Sequence, residues 1–233
     1  MSSIARVQAR PGQRALLLTT LAVPLTGWTV HAVALHRRLA TAQRDPLTGV
    51  LRRDGFTLRA KHLIGRYGDD VLVLIGDVDH FKQINDSAGH PVGDLVLAAT
   101  AARITSWAGS RGVVGRLGGD EFGVAVRIGP GRRPARLDQL LRALREQVTV
   151  DDGTDGTDGP FTVDVAVSIG AAAPDAIGSR DLSQLMRAAD TAMFAGKHSG
   201  TAIQAGPEHT TAPSINGRRA GRPGTHNRMG RAA

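Results

Sequence analysis

The segment from Val71 to Val78, VLVLIGDV, constrains the fold more than any other, because it is an unbroken apolar run that ends in acid. A run without polar alternation predicts a central strand buried on both faces, and such a strand needs helices on either side. The neighbouring segments supply them. Asp45 reads as an N-cap with Pro46 in the first turn of a helix running to about Arg66. The stretches 93–108, 136–148 and 181–197 carry helical spacing. GVVGRL (112–117) and EFGVAVRI (121–128) read as strands joined through Gly118, Gly119 and Asp120, which is hairpin chemistry. FTVDVAVSI (161–169) alternates strictly and predicts a strand with one buried face, and a short strand is expected at 201–205. The glycine-rich stretch 151–159 lacks the terminal acid of a calcium loop and reads as a solvated connection.

A chain of 233 residues holds one ordinary domain with appendages. Cysteine is absent, which excludes disulfides, a thiolate zinc site and a cysteine nucleophile, so any metal must sit on oxygen or imidazole. The net charge of +8 is carried by the ends: Arg6, Arg10 and Arg14 in residues 1–14, and Arg218, Arg219, Arg222, Arg228 and Arg231 in residues 209–233, with no acid in either stretch. The middle is formally neutral and poor in aromatics, so no nucleic-acid partner is expected. Residues 15–35 contain no Asp, Glu, Lys or Arg and are long enough for a single transmembrane helix, with Pro24, Gly27 and His31 lowering their hydrophobicity. Arg37, Arg38, Arg44, Arg52 and Arg53 on the C-terminal flank place that side in the cytoplasm. The expected order is a basic N-terminus (1–14), the inner-membrane anchor (15–35), a linker (36–44), the folded domain (45–205) and a basic disordered tail (206–233).

Three segments combine strand ends, glycines and carboxylates as a metal and phosphate site requires. Asp77-Val78-Asp79 ends the buried strand, where a carboxylate and a backbone carbonyl face one cation. Two acids beside a buried apolar strand are costly unless paired, so Asp77 and Asp79 read as cation ligands before strand-end caps, and hard oxygen donors suit Mg²⁺. Gly118-Gly119-Asp120-Glu121 is a tight acidic turn that leaves the backbone open to a phosphate chain. Asn85 and Asp94 supply an amide and a carboxylate able to read a purine edge, and otherwise read as loop or capping groups. His80 and His90 read as structural, and Phe81 and Phe122 as core.

These residues resemble the signature of the GGDEF family of diguanylate cyclases. Asp45-Pro-Leu-Thr-Gly is similar to the family's opening, DVDHFKQINDSAGHPVGD (77–94) to its long central motif, and RLGGDEF (116–122) contains its name-giving string intact. VSIGAA (167–172) and AADTAMFAGKHSG (188–200) resemble its later strand and helix, so the matches run in order over roughly 45–205. The resemblance implies an α/β (α+β) fold with a palm-like central mixed or antiparallel sheet flanked by helices, related to nucleotidyl cyclase catalytic domains. It implies that Asp77, the Val78 carbonyl and Asp120 hold two Mg²⁺ or Mn²⁺ ions per GTP. Asp120 is also assigned the proton of the GTP 3′-hydroxyl, with Glu121 supporting it. Asn85 and Asp94 match the guanine-reading pair, Lys82 and Lys197 match basic residues near the triphosphate, Gly118 and Gly119 lie under the α-phosphate, and Phe81 falls within the substrate-binding motif. The product implied is cyclic di-GMP, made at a homodimer interface.

The sequence also departs from the pattern. Gly109 and Gly112 stand where the family's inhibitory Arg-x-x-Asp is usual, so feedback inhibition through that site is not expected. Gly200-Thr201-Ala202 replaces Gly-Arg-Asn, and Arg52-Arg53 replaces Asn-Arg. Two rival functions are a catalytically silent module that binds GTP or a protein partner, and a basic adaptor for nucleic acid or an anionic membrane that works through its arginine tails.

Overall fold

The computed structural model describes Trp28, His31 and residues 43–150, 159–197 and 201–210. The chain divides into Met1–Gln43 and Arg44–Ala233. The basic N-terminus, the expected membrane segment 15–35 apart from Trp28 and His31, most of the linker, and the tail beyond Thr210 lie outside the described residues. Among the described residues, no helix is long and apolar enough to cross a membrane.

The apolar run becomes β2 (Val71–Val78), with all eight residues buried. Around it forms a mixed six-stranded sheet in the order β1-β3-β4-β2-β7-β8, built with β1 (Leu51–Arg52), β3 (Gly112–Arg116), β4 (Glu121–Arg127), β7 (Val167–Ala172) and β8 (Ala202–Gln204). β2 runs antiparallel to both its neighbours, while the outer pairs β1–β3 and β7–β8 are parallel. Strand alternation divides β2 between two cores. Leu72, Leu74 and Val78 join Val96, Leu97 and Ile104 of α3 (His90–Ala108) and Leu137 and Leu140 of α4 (Arg133–Leu144). Val71, Val73 and Ile75 join Phe56 and Ile64 of α1 (Arg53–Tyr67) and Leu185 and Ala189 of α6 (Leu182–Ala195). Each of these Val, Leu, Ile and Phe side chains contributes about 1.5–3 kcal/mol on burial. The remaining helices are α2 (Phe81–Ala88) and the short α5 (Pro174–Ile177).

One glycine sets how α6 lies on the sheet. A Cβ at Gly170 of β7 would fall 1.9 Å from the Ala189 carbonyl oxygen, so the helix backbone rests on the strand where no side chain intervenes. That seating brings Lys197, just past the end of α6, to the end of β2.

Three local expectations are corrected. Asp45 does not cap a helix: its carboxylate accepts from the amide and hydroxyl of Thr48, closing a local turn before β1, and helix α1 begins only at Arg53. The stretch 161–169 is not one strand. Phe161–Val163 forms β6, paired with β5 (Val148–Val150) in a separate two-stranded sheet, while β7 begins at Val167 and is buried on both faces. Pro207–Thr210 forms a short 3₁₀ turn where the tail was expected to begin.

Candidate functional site

The end of β2 brings two acidic segments together. Asp77 stands opposite Glu121 of β4 and opposite Ser168 of β7, and directly opposed residues project to the same face of a sheet. One residue on, the Val78 amide donates to the Asp120 carbonyl at 3.2 Å, so the backbones of the two segments are in contact. Asp77 is only 4% exposed. Lys197 Nζ donates to its Oδ1 at 2.7 Å. The ammonium offsets a carboxylate that would be costly to bury alone and that faces a second acid across the ladder.

The glycine turn is held from behind. The Leu117 amide donates to the Glu121 carbonyl at 2.8 Å, closing the hairpin. Arg116 then clamps the turn, donating through Nε and Nη2 to the Gly119 carbonyl at 2.9 and 2.7 Å and through Nη1 to Asp45 Oδ1 at 3.1 Å. Arg53 Nε donates to the Leu117 carbonyl at 2.9 Å. A guanidinium fork suits this work because it presents several donors in a fixed plane. Burial acts to raise the Asp45 carboxyl, but the hydrogen bonds from Thr48 and Arg116, with the arginine's charge, outweigh it and hold the group below the usual aspartate range. On the outer side Gly118 and Gly119 are exposed, and nothing lies within 4 Å of where a Gly119 Cβ would stand. An approaching phosphate chain meets bare backbone there.

The third segment is helical where the sequence reading allowed a loop. After Asp79 the chain turns at His80, whose φ of 55° makes it the one non-glycine residue in the left-handed region among the described residues. That conformation costs on the order of 1–2 kcal/mol and persists where neighbouring bonds hold it. The amides of Gln83 and Ile84 both donate to the His80 carbonyl, starting α2. Asn85 lies on α2, and its side chain rests on Gly93 of α3, where a Cβ would fall 2.0 Å from Asn85 Oδ1. Phe81 flanks the same glycine and packs against the core beneath. Asp94, the next residue along α3, is exposed, as are Lys82, His80 and His90.

The structure therefore joins Asp77, Val78, Asp120, Glu121, Gly118 and Lys197 at one strand end, and pairs Asn85 with the residue preceding Asp94 on the helical hairpin. Lys82 is on α2 but forms no part of the buried cluster. Sequence reasoning missed the supports: Arg53 and Arg116 behind the turn, Gly93 beneath Asn85, and Ser168 opposite Asp77. Only Gly93 had a local signal, as a glycine near the start of a helix with no turn to make. Among the described residues no three His, Asp or Glu side chains converge to hold a cation unaided. The donors fit a divalent ion nonetheless: a buried carboxylate and nearby acids on one strand end, all oxygen, with a lysine in place as the counter-charge.

A cleft of 860 Å³ lies apart from these residues, lined by Asp70, Gly109, Arg111, Arg127 and Arg136 among others. Gly109 carries no side chain into it, and Arg127 and Arg136 stack over Tyr67 and Trp107.

The chain resembles known proteins over most of its length. The family described as diguanylate cyclase, GGDEF domain, matches residues 42–202. An uncharacterized 19.3 kDa protein of Streptomyces ambofaciens is 44% identical over 175 residues, covering 75% of this chain and 89% of its own length. The protein of Escherichia coli K12 named probable diguanylate cyclase DgcF is 35% identical over 162 residues, covering 68% of this chain and 50% of its own length, so this chain spans about half of that relative. Among solved structures, the isolated GGDEF domain of TpbB (YfiN) from Pseudomonas aeruginosa superposes with a TM-score of 0.61 at 30% identity, covering 71% of this chain and 96% of that one.

Proposed function

The chain belongs to the GGDEF-domain family of diguanylate cyclases, and on that premise we propose that it condenses two molecules of GTP into cyclic di-GMP, releasing two pyrophosphates. The observation that carries this reading is the joining of Val78 to Asp120, which sets the buried Asp77 beside the acidic glycine turn. Family membership alone is compatible with a silent regulator; an intact acidic strand end backed by an arginine-clamped turn favours turnover.

In this reading Asp77, the Val78 carbonyl and Asp120 would hold two Mg²⁺ or Mn²⁺ ions. When bound, the ions neutralise charge at the α-phosphate and lower the pKa of the 3′-hydroxyl. The chain's own groups do the rest. Asn85 and Asp94 read the guanine edge, with Phe81 fixing the base of α2. Lys82 and Lys197 meet the triphosphate, Lys197 leaving Asp77 to do so. Gly118 and Gly119 admit the α-phosphate to the backbone, Asp120 accepts the hydroxyl proton, and Glu121 supports Asp120 from the next position on the hairpin. Positioning and electrostatics carry the rate.

Each domain holds one GTP, so two copies face each other for each 3′-hydroxyl to reach the opposite α-phosphate. Residues 15–35 anchor the chain in the inner membrane as a single span, with the catalytic domain in the cytoplasm. The test is pyrophosphate release from GTP and Mg²⁺ by the full chain over a range of protein concentration. A rate per protomer that rises with concentration and then levels supports a dimeric cyclase. GTP binding without release, at every concentration, supports the silent module instead.

A further inference from the structure

We propose that Asp79 and Ser168 are a positioning pair, fixing the angle between β2, which carries Asp77 and Val78, and α2, which carries Lys82 and Asn85. The inference rests on the GTP site described above and concerns residues to which that reading gives no role.

Asp79 is 6% exposed and lies just past the end of β2. Its amide donates to the Ala166 carbonyl at 2.9 Å, carrying the β2–β7 ladder one step beyond the strand. Its carboxylate is gripped as well: Ser168 Oγ lies 2.8 Å from Oδ1 and 3.0 Å from Oδ2, with the hydroxyl proton shared between them. Ser168 is itself buried and sits directly opposite Asp77. The same serine thus abuts the metal-ligand position and holds the residue from which the chain leaves the sheet.

A third cation ligand is the obvious alternative role for Asp79, and the topology argues against it. β2 has β4 on one side and β7 on the other. Asp120 and Glu121 come from the β4 side, whereas the Asp79 carboxylate is drawn to Ser168 on β7. An acid that only closed the strand would need no buried serine on both its oxygens.

The pivot matters because His80 follows at once with its left-handed backbone, and α2 starts from the His80 carbonyl. No residue of α2 is fully buried; the helix takes its direction from its attachment, from the resting of Phe81 and Ile84 on the core and from the Asn85–Gly93 contact. Asn85 lies about 6 Å along the axis from Phe81, so a tilt of about 10° moves it by about 1 Å. An error of that size at a hydrogen-bonding group is costly to recognition.

The readout is equilibrium binding by the full chain, with GTP or ITP competing against a fluorescent GTP analogue in Mg²⁺. ITP lacks the 2-amino group, so it separates reading of the guanine edge from general binding. Ser168→Ala is expected to weaken GTP about tenfold and ITP about twofold, and to leave the Mg²⁺ concentration for half-maximal binding unchanged. Asp79→Asn keeps an acceptor oxygen for the serine and is expected to lose threefold or less, with the Mg²⁺ requirement again unchanged. If Ser168→Ala does not fold, Ser168→Cys, a weaker donor that fills the space, carries the same expectation at about threefold. Equal weakening of GTP and ITP, or none, overturns the positioning role. A tenfold rise in the Mg²⁺ requirement of Asp79→Asn overturns it in favour of a cation ligand. Wild-type chain that binds no GTP overturns the site reading itself, and this inference with it.

Discussion

The end of β2 and the α2–α3 hairpin are neighbours in the chain, yet Asp77 is buried and ion-paired to Lys197, whereas Asn85 rides on a helix with no buried residue and Asp94 is exposed. The first region is assembled by the fold before any ligand arrives: two strands, a hairpin and the end of α6 converge on it, and Arg53 and Arg116 brace it from behind. The second is an open pair of helices whose contact turns on one glycine. Under the proposed function, a site so divided would have its reacting end preorganised and its base-reading end left accessible, which suits a substrate that must enter and a product that must leave.

The sharpest test of the contrast is Asp77→Ala. Turnover of GTP should fall by about 10³-fold or more, while thermal unfolding changes little, because the variant also removes an acid facing Glu121. Lys197→Met should come next. It should raise KM for GTP by roughly 10–100-fold, and it should tighten Mn²⁺ binding to the nucleotide-free protein, measured by titration calorimetry, since the competing ammonium is gone. Weaker Mn²⁺ binding would mean that the lysine supports the cation site instead of standing in for the ion. Asn85→Ala tests the open half: KM should rise about tenfold with kcat nearly constant and the melting temperature unmoved. A large loss of stability would show that the hairpin is as deeply built in as β2.

The smallest expected effect belongs to the brace. Because the Asp45 carboxyl is held below its ordinary range, its contribution to stability is present at neutral pH and is lost as pH falls through the depressed value. Asp45→Asn should therefore melt lower than wild type at pH 7, by about 2–4 °C for a loss of about 1 kcal/mol, and the gap should close in strong acid. A gap independent of pH would assign the effect to lost packing.

What the sequence revealed follows the same division. The strand at 71–78, the hairpin around Gly118 and Gly119, and the helices over 93–108 and 181–197 are written in local periodicity and turn residues, and the structure contains them with small shifts of boundary. The supports were illegible because each joins residues far apart: Arg53 to Leu117 across 64 positions, Arg116 to Asp45 across 71, Lys197 to Asp77 across 120. α2 escaped notice for a local reason, since in eight residues its apolar face is carried by Phe81 and Ile84 alone, too short a stripe to stand out as a repeat. The alternation over 161–169 hid a change of sheet, because a period of two persists when a strand stops and another starts in phase. Asp45 misled because a residue good at capping helices is equally good at closing a turn.

The central claim is that the acids at 77 and 120 act together on GTP, and mass detection of the product tests it most directly. Full-length chain incubated with GTP and Mg²⁺ should yield cyclic di-GMP, and Asp120→Ala, folded and still able to bind GTP, should yield none. Cyclic di-GMP from the variant at the wild-type rate would contradict the account, as would its absence from wild-type protein shown to be dimeric and saturated with GTP.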